Sequence, residues 1–227
     1  MGDHAAKAAL FDQFARVGRA LGNPTRLELV DLLAQGERTV EGLAAATHLA
    51  VSTTSAHLQT LKRAHLVATR REGTRIYYSL AGDDVAGLYV GLRAVAQTYL
   101  PDTEAARRAY LGLTGSIADA DVDEVDRTEL LHRVRDGQAV VLDVRPAEEY
   151  AYGHIPGAIS IPVDELSHRL AELPAGRTIV AYCRGRYCVF AYDAVRQLRA
   201  SGYPAVRLTE GMIEWRLAGL PVTAVAA

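Results

Sequence analysis

Two cysteines stand close together in the second half of the chain, and its 227 residues contain no others. Cys183 follows an apolar stretch, residues 179–182, that predicts a short buried strand. The segment CRGRYC then leads into a predicted helix that starts near Tyr187. Backbone N–H groups at a helix start and nearby guanidinium groups, here those of Arg184 and Arg186, lower the pKa of a thiol. Because the thiolate is the reactive form, this pattern indicates a nucleophilic cysteine at position 183.

The second cysteine has two interpretations. The amides of the same loop could hold an anion such as a persulfide. In one interpretation, Cys188 is a second reactive thiol that forms a disulfide with Cys183, which requires Cα atoms within about 7 Å of each other. In the other, Cys188 is a small buried helix residue without a chemical role.

A second group of polar side chains lies on one face of a predicted helix over residues 51–63. Thr54, Leu58 and Leu61 are spaced four and three residues apart and are expected to face a core. The polar face comprises Ser52, Ser55, Ala56, Gln59 and Arg63. Hydroxyl and amide groups can bond base edges in the major groove, and an Ala methyl group can contact thymine. The face indicates a recognition helix, although a solvated face of an ordinary helix has the same pattern.

A basic segment follows this helix. Residues 67–80 read as two short strands around a glycine-containing turn, which predicts a hairpin. Its three arginines are Arg70, Arg71 and Arg75. On a hairpin beside a recognition helix, they would contact phosphates, which supply affinity but little sequence information.

The remaining pattern predicts two domains. Before residue 66 the chain reads as four helices, and the hairpin and a closing helix over 83–100 complete the order of a mainly-α winged helix-turn-helix. After residue 125, short apolar strands alternate with helices, which predicts an α/β domain with a parallel sheet. Residues 112–124 are rich in glycine and acidic side chains and predict a linker. The predicted domains are therefore 1–111 and 125–227.

Composition narrows the class of protein. The chain is 49% hydrophobic and 23% charged, with a formal net charge of −2, which excludes disordered and fibrous proteins. No apolar run approaches the roughly 18 residues that a membrane span needs, and the first residues lack the pattern of a secretory signal. Two cysteines do not make a disulfide framework. We therefore expect a cytoplasmic protein with no membrane partner.

Three segments of the first half occur in a characteristic order: ALGNPTRLELVDLL, STTSAHLQTLKRAHLV and RREGTRIYYSL. Together, over residues 20–80, they resemble the arsenic-repressor (ArsR) family of bacterial winged-helix regulators. The resemblance implies a homodimer formed by the first and last helices. Such a dimer would bind palindromic double-stranded operator DNA with half-sites about one helical turn apart.

Many relatives in that family sense metals through cysteines in the helix before the recognition helix, or through Asp and His pairs on the dimer helix. The matching segment here, VEGLAAATHLA, contains no cysteine. Asp83 and Asp84 open the last helix, but no histidine follows on it. We therefore predict no metal site and no cofactor, and interpret His57 as structural or close to DNA.

Three segments of the second half also form a set: VLDVRPAEEYAYGHIPGAISIP, IVAYCRGRYC and GYPAVRLTEGMIEWRLAGLPV. They resemble the rhodanese domain, which carries sulfane sulfur on a loop cysteine as a persulfide. The resemblance implies that Cys183 is the sulfur carrier and that Asp143 and Arg145 support the site. The implied loop for an anionic donor, such as thiosulfate or a low-molecular-weight persulfide, comprises Arg184, Gly185, Arg186, Tyr187 and Cys188.

One position departs from the rhodanese pattern. Single-domain rhodaneses often have an arginine five residues after the cysteine, where this chain has Cys188. The loop keeps the six-residue length of rhodaneses, which favours sulfur chemistry over the longer phosphatase loop. A thiol at position 188 could attack a persulfide on Cys183, release sulfide and leave a disulfide.

These observations predict a DNA-binding regulator, most simply a repressor, whose Cys183 senses or transfers sulfane sulfur. One alternative is a sulfurtransferase in which the winged helix serves for targeting or regulation. The other is a metal- or arsenic-responsive repressor with an accessory rhodanese domain.

Overall fold

The computed structural model describes residues 3–112 and 122–225. The chain divides into two compact units, Met1–Leu92 and Arg93–Ala227. In the described ranges, no helix is long and apolar enough to cross a membrane.

The first unit consists of helices and a small antiparallel sheet. Its elements are α1 (His4–Leu21), α2 (Pro24–Leu33), β1 (Arg38–Thr39), α3 (Val40–Thr47), α4 (Val51–Arg63), β2 (Val67–Glu72), β3 (Arg75–Leu80) and the first part of α5 (Asp83–Tyr99). The three strands lie in the order β1-β3-β2. This arrangement confirms the predicted winged helix-turn-helix.

Capping groups fix where the helices of this unit begin and end. The Asn23 side chain accepts a hydrogen bond from the Arg26 N–H (3.2 Å), and Pro24 occupies the first position of α2. Thr39 caps α3 in the same way, and His48 ends that helix in the left-handed conformation with φ 54°. A sharp turn between α3 and α4 results.

The face of α4 that was predicted to lie in the core does so. Thr54, Leu58 and Leu61 are fully buried, and the two leucines belong to the core of the first unit. The hairpin has a two-residue turn, Gly73 and Thr74, in which Gly73 has φ 59°. Strand β1, only two residues long, had no alternating pattern and was not predicted.

The second unit is built around a parallel sheet. Besides the end of α5, its elements are α6 (Asp102–Tyr110), β4 (Glu124–Val125), α7 (Arg127–Arg135), β5 (Ala139–Asp143), α8 (Ala147–Tyr152), β6 (Ile159–Ser160), α9 (Leu166–Arg169), a 3-10 turn (Leu170–Glu172), β7 (Thr178–Tyr182), α10 (Val189–Ala200), β8 (Ala205–Leu208) and α11 (Met212–Leu217). The strand order is β4-β8-β7-β5-β6, and every pair is parallel. The predicted α/β architecture is confirmed.

The predicted linker, residues 112–124, differs from the structure at its end. Residues 113–121 lie outside the described ranges. Val122 is buried, and Glu124 begins β4 and accepts a hydrogen bond from the Nε of Arg207 (3.1 Å). An acidic residue that looked solvated therefore pairs with an arginine that is itself buried.

Candidate functional site

The cysteine loop starts where β7 ends. Cys183 comes directly after Tyr182, the last residue of that strand, and only 2% of its surface is exposed. Cys188 is the N-cap of α10, so this helix begins two residues later than predicted. A disulfide joins the two cysteines, with their Cα atoms 6.1 Å apart. The distance condition for pairing of the two thiols is therefore met.

The loop packs directly against the start of α11. The Met212 N–H donates a hydrogen bond to the Cys183 carbonyl (3.0 Å). Gly211 lies so close that a Cβ atom there would stand 2.2 Å from the backbone nitrogen of Gly185. Any side chain at position 211 would collide with the loop backbone. Sequence reasoning did not single out Gly211, although it lies within the third rhodanese-like segment.

The two arginines of the loop have different surroundings. Arg184 donates from Nε to the Glu149 carboxylate (3.0 and 3.1 Å) and from Nη2 to the same group (2.6 Å). Glu149 comes from α8 and is buried, so this pair holds the Arg184 guanidinium against the domain. Arg186 is exposed. Both arginines were predicted to bind an anionic donor. Of the two, Arg186 is the one that is exposed to solvent.

The backbone of the loop is partly used by the loop itself. The Cys188 N–H, one of the predicted anion-binding amides, donates to the carbonyl of Gly185 (3.1 Å). Gly185 is buried and Tyr187 is half-buried. Burial raises the pKa of the Tyr187 hydroxyl above its ordinary value. The hydroxyl therefore stays protonated near neutral pH.

Asp143 and Arg145 form a buried ion pair beside the loop. Both side chains are fully buried, and the guanidinium Nη2 lies 2.6 Å from the carboxylate. The Tyr182 hydroxyl also donates to Asp143, and Arg145 donates to the Gly153 carbonyl (2.8 Å). Burial and the charge of Asp143 raise the pKa of Tyr182, which keeps it a donor. This network supports the end of β7, and the role of Asp143 and Arg145 in supporting the sulfur site stays a prediction.

The polar face of α4 lies at the surface of the first unit. Its exposed members are Ser52, Ala56, Gln59 and Arg63, and Ser55 is half-buried. The Gln59 amide donates to the Tyr78 hydroxyl of β3 (3.3 Å), which fixes its direction. The face is therefore open to a partner along the length of the helix.

The hairpin arginines are also at the surface. Arg71 and Arg75 are exposed. Arg70 pairs with two carboxylates, donating to Glu37 (3.2 Å from Nε) and to Glu72 (2.6 Å from Nη1). Its side chain is nevertheless half exposed, at 51%. Because the side chains of all three arginines are exposed, each can contact an anion from solution.

Two helices carry large apolar side chains on their surface. On α1 these are Leu10, Phe11 and Phe14, each more than half exposed. On α5 they are Leu88, Leu92, Val95 and Tyr99. The spacing of four, three and four residues on α5 places them in one stripe. Exposed apolar stripes of this size are typical of protein interfaces.

Two family profiles match the chain. The profile of the bacterial regulatory protein, arsR family, matches residues 23–69, and that of the rhodanese-like domain matches residues 126–218. The first match contains α2 to α4 and the start of β2, and the second contains the cysteine loop. The chain is 37% identical over 105 residues to a protein named sulfurtransferase from Allochromatium vinosum, which covers 45% of this chain and 96% of that protein.

Two mycobacterial proteins are also similar to the chain, with a higher identity than the Allochromatium vinosum protein. A solution NMR structure of the homodimeric winged helix-turn-helix DNA-binding domain Mb0332 from Mycobacterium bovis (fragment 1-100) is 55% identical, with a TM-score of 0.41, and covers 44% of this chain and 93% of that one. The HTH-type transcriptional regulator Rv0324 of Mycobacterium tuberculosis is 55% identical over 216 residues, which are 95% of this chain and 92% of that protein. The chain therefore belongs to the ArsR family of bacterial transcriptional regulators and combines its winged helix with a rhodanese-like domain.

Proposed function

We propose that this transcriptional regulator senses sulfane sulfur through Cys183 and releases its operator when Cys183 has reacted. The observation that carries the proposal is the pairing of Cys183 with Cys188 across one loop of the rhodanese-like domain. Because Cys188 lies within bonding distance of Cys183, a sulfur-carrying Cys183 can react once and leave a disulfide, which is a lasting product. A lasting product is what a sensor needs.

The chemical step balances with a persulfide donor alone. The Cys183 thiolate attacks the outer sulfur of the donor, takes it up as a persulfide and releases the donor as a thiolate. The Cys188 thiolate then attacks the Cys183 sulfur, forms the disulfide and expels hydrosulfide. The two thiols are oxidised, and the sulfane sulfur is reduced to sulfide.

The DNA-binding half of the proposal rests on the first unit. Two copies would pair through the exposed apolar side chains of α1 and α5, and burial of these side chains would supply the free energy of association. Each copy would place the polar face of α4 in the major groove of one half-site. The hairpin arginines would contact flanking phosphates.

A sulfurtransferase is the second candidate, favoured by the identity with the Allochromatium vinosum sulfurtransferase. In that case Cys183 would pass its sulfur to an acceptor such as cyanide and would return to the thiol in each cycle. Formation of the disulfide would then be a side reaction.

Reaction stoichiometry separates the two candidates. We would treat the reduced protein with a persulfide donor, measure released sulfide, and locate the Cys183–Cys188 disulfide by mass spectrometry. The sensor predicts one sulfide per chain, a disulfide in the product, and loss of both in the Cys188→Ser variant. Many turnovers with thiosulfate and cyanide, without disulfide, would instead establish the enzyme.

A further inference from the structure

Arg93 brings a positive charge to the cysteine loop from outside the rhodanese-like match. It lies on α5 within the second unit, 33 residues before that match begins at residue 126. Its Nη2 atom donates to the Glu214 carboxylate (3.3 Å), and its guanidinium carbon lies 4.6 Å from the centre of the Tyr187 ring. Both side chains of the ion pair are more than four-fifths buried. Arg93 is thus fixed against two groups that border the loop.

Glu214 is the group that makes this charge important. Its carboxylate accepts a hydrogen bond from the Gly211 N–H (2.9 Å), which holds it at the start of α11. Both carboxylate oxygens lie within 3.4 Å of the point where a Cβ atom of Gly185 would be. A fixed negative charge therefore stands beside the middle of the loop that is proposed to accept an anionic donor. Without a compensating cation, this charge would repel thiosulfate, a persulfide anion and the Cys183 thiolate itself.

We propose that Arg93 is a positioning residue of the sulfur site, which neutralises Glu214 and holds Tyr187 so that anionic sulfur donors can approach Cys183. The inference rests on the proposed function and deepens it, because it names a residue that allows the expected anionic donor to approach. It also makes the sulfur site dependent on a residue that the rhodanese-like segment alone does not contain.

A structural role alone would give the same contacts, so the test must respond to charge. We would use the full-length reduced protein with Cys188→Ala, in which Cys183 is the only thiol of the sequence. Its alkylation rate would be measured with iodoacetate, an anion, and with iodoacetamide, its neutral analogue. Both rates are proportional to the fraction of Cys183 that is thiolate, so this fraction cancels in their ratio. The ratio therefore reports the charge that surrounds an approaching reagent.

Four variants in that background define the outcome. Arg93→Gln should lower the iodoacetate to iodoacetamide ratio roughly five- to tenfold, as expected for one charge near the reaction site. Arg93→Lys should retain most of the original ratio. Glu214→Gln should raise the ratio, and the double variant Arg93→Gln with Glu214→Gln should return it near the original value.

The results that would overturn the inference differ from those that would overturn the proposed function. An unchanged ratio in both Arg93→Gln and Glu214→Gln would show that neither charge acts on Cys183. A fall in Arg93→Gln that Glu214→Gln does not reverse would show that Arg93 does not act by neutralising Glu214, and would overturn the inference. A Cys183 that reacts with neither reagent would instead contradict the sulfur-accepting site, and with it the proposed function. If Arg93→Gln fails to fold, the rise expected for Glu214→Gln alone still decides the inference.

Discussion

The hairpin of the first unit and the cysteine loop of the second both present arginines that were predicted to bind anions. In each region one arginine is paired with carboxylates, Arg70 on the hairpin and Arg184 on the loop. The partners differ in burial: the side chains of Glu72 and Glu37 are 64% and 28% exposed, and that of Glu149 is 1% exposed. A surface ion pair contributes about 0–1 kcal/mol, so a phosphate can compete for Arg70. Leaving the buried Glu149 carboxylate without its counter-charge costs more free energy than breaking a surface ion pair. Arg184 therefore stays paired with Glu149.

The comparison shows that residue type and loop position do not by themselves make an anion ligand. Arg184 and Arg186 are similar in the sequence pattern, because they are two residues apart and both lie between Cys183 and Cys188. The buried Glu149 holds the first against the domain, whereas the second is exposed. Substitutions in the two regions should therefore differ in what they change: stability in the loop, and DNA affinity on the hairpin.

The largest effect on stability is expected for Asp143→Ala. It removes the carboxylate that lies 2.6 Å from the buried Arg145 guanidinium, which should cost about 3–5 kcal/mol of unfolding free energy. Urea unfolding of the reduced protein measures the change. The exposed Asp164 provides the control, since Asp164→Asn should change stability by less than about 0.5 kcal/mol. Equal losses of unfolding free energy in both variants would show that the Asp143–Arg145 pair stabilises the protein no more than an exposed carboxylate does.

Glu149→Gln should come next, with a loss of about 1–3 kcal/mol, because the substitution removes the charge that Arg184 donates to. The exposed neighbour Glu148 serves as the matched control in the same helix. Calorimetric unfolding of the two variants checks the difference. If Glu148→Gln costs as much as Glu149→Gln, burial does not distinguish the loop pair from a surface pair.

On the hairpin, Arg71→Ala should weaken binding of every DNA sequence to a similar degree. It should also reduce the slope of log affinity against log salt by about 1, since one phosphate contact is lost. Titrations at several salt concentrations, on operator and on unrelated DNA, measure both quantities. A loss confined to the operator would mean that Arg71 reads bases rather than phosphates.

The smallest effect is expected for Glu37→Gln, which removes one of the two carboxylates that hold Arg70. Protein stability should change by less than about 1 kcal/mol because both side chains of the pair keep contact with solvent, at 51% and 28% exposure. DNA affinity should rise by roughly two- to threefold as Arg70 becomes available to phosphate. A fall in affinity would show that Glu37 orients Arg70 toward DNA.

Sequence patterns predicted the elements whose signal is local. Helix α4 has the predicted ends, 51 and 63, because its core residues repeat at three and four positions. The hairpin was predicted from its turn glycine, and the position of Cys183 after β7 from a run of apolar residues. The two-residue strands β1 and β4 were missed because two residues show no alternation.

The partners of the candidate site were not predictable in this way. Glu149 pairs with a residue 35 positions later, and Glu214 pairs with Arg93, 121 positions earlier. Gly211 is required only because the backbone of Gly185 packs against it. Contacts of this kind depend on the tertiary fold, and the local sequence around each residue carries no sign of its partner.

If sulfur chemistry at Cys183 controls DNA binding, fluorescence anisotropy will detect that control as a change in DNA affinity. The DNA would come from upstream of the protein's own gene, and full-length reduced protein would be compared with protein treated with a persulfide donor. The account predicts at least a tenfold loss of affinity, worth about 1.4 kcal/mol, that disappears in the Cys183→Ser variant. Tight binding that the donor leaves unchanged would contradict the account and would make the rhodanese-like domain an independent enzyme.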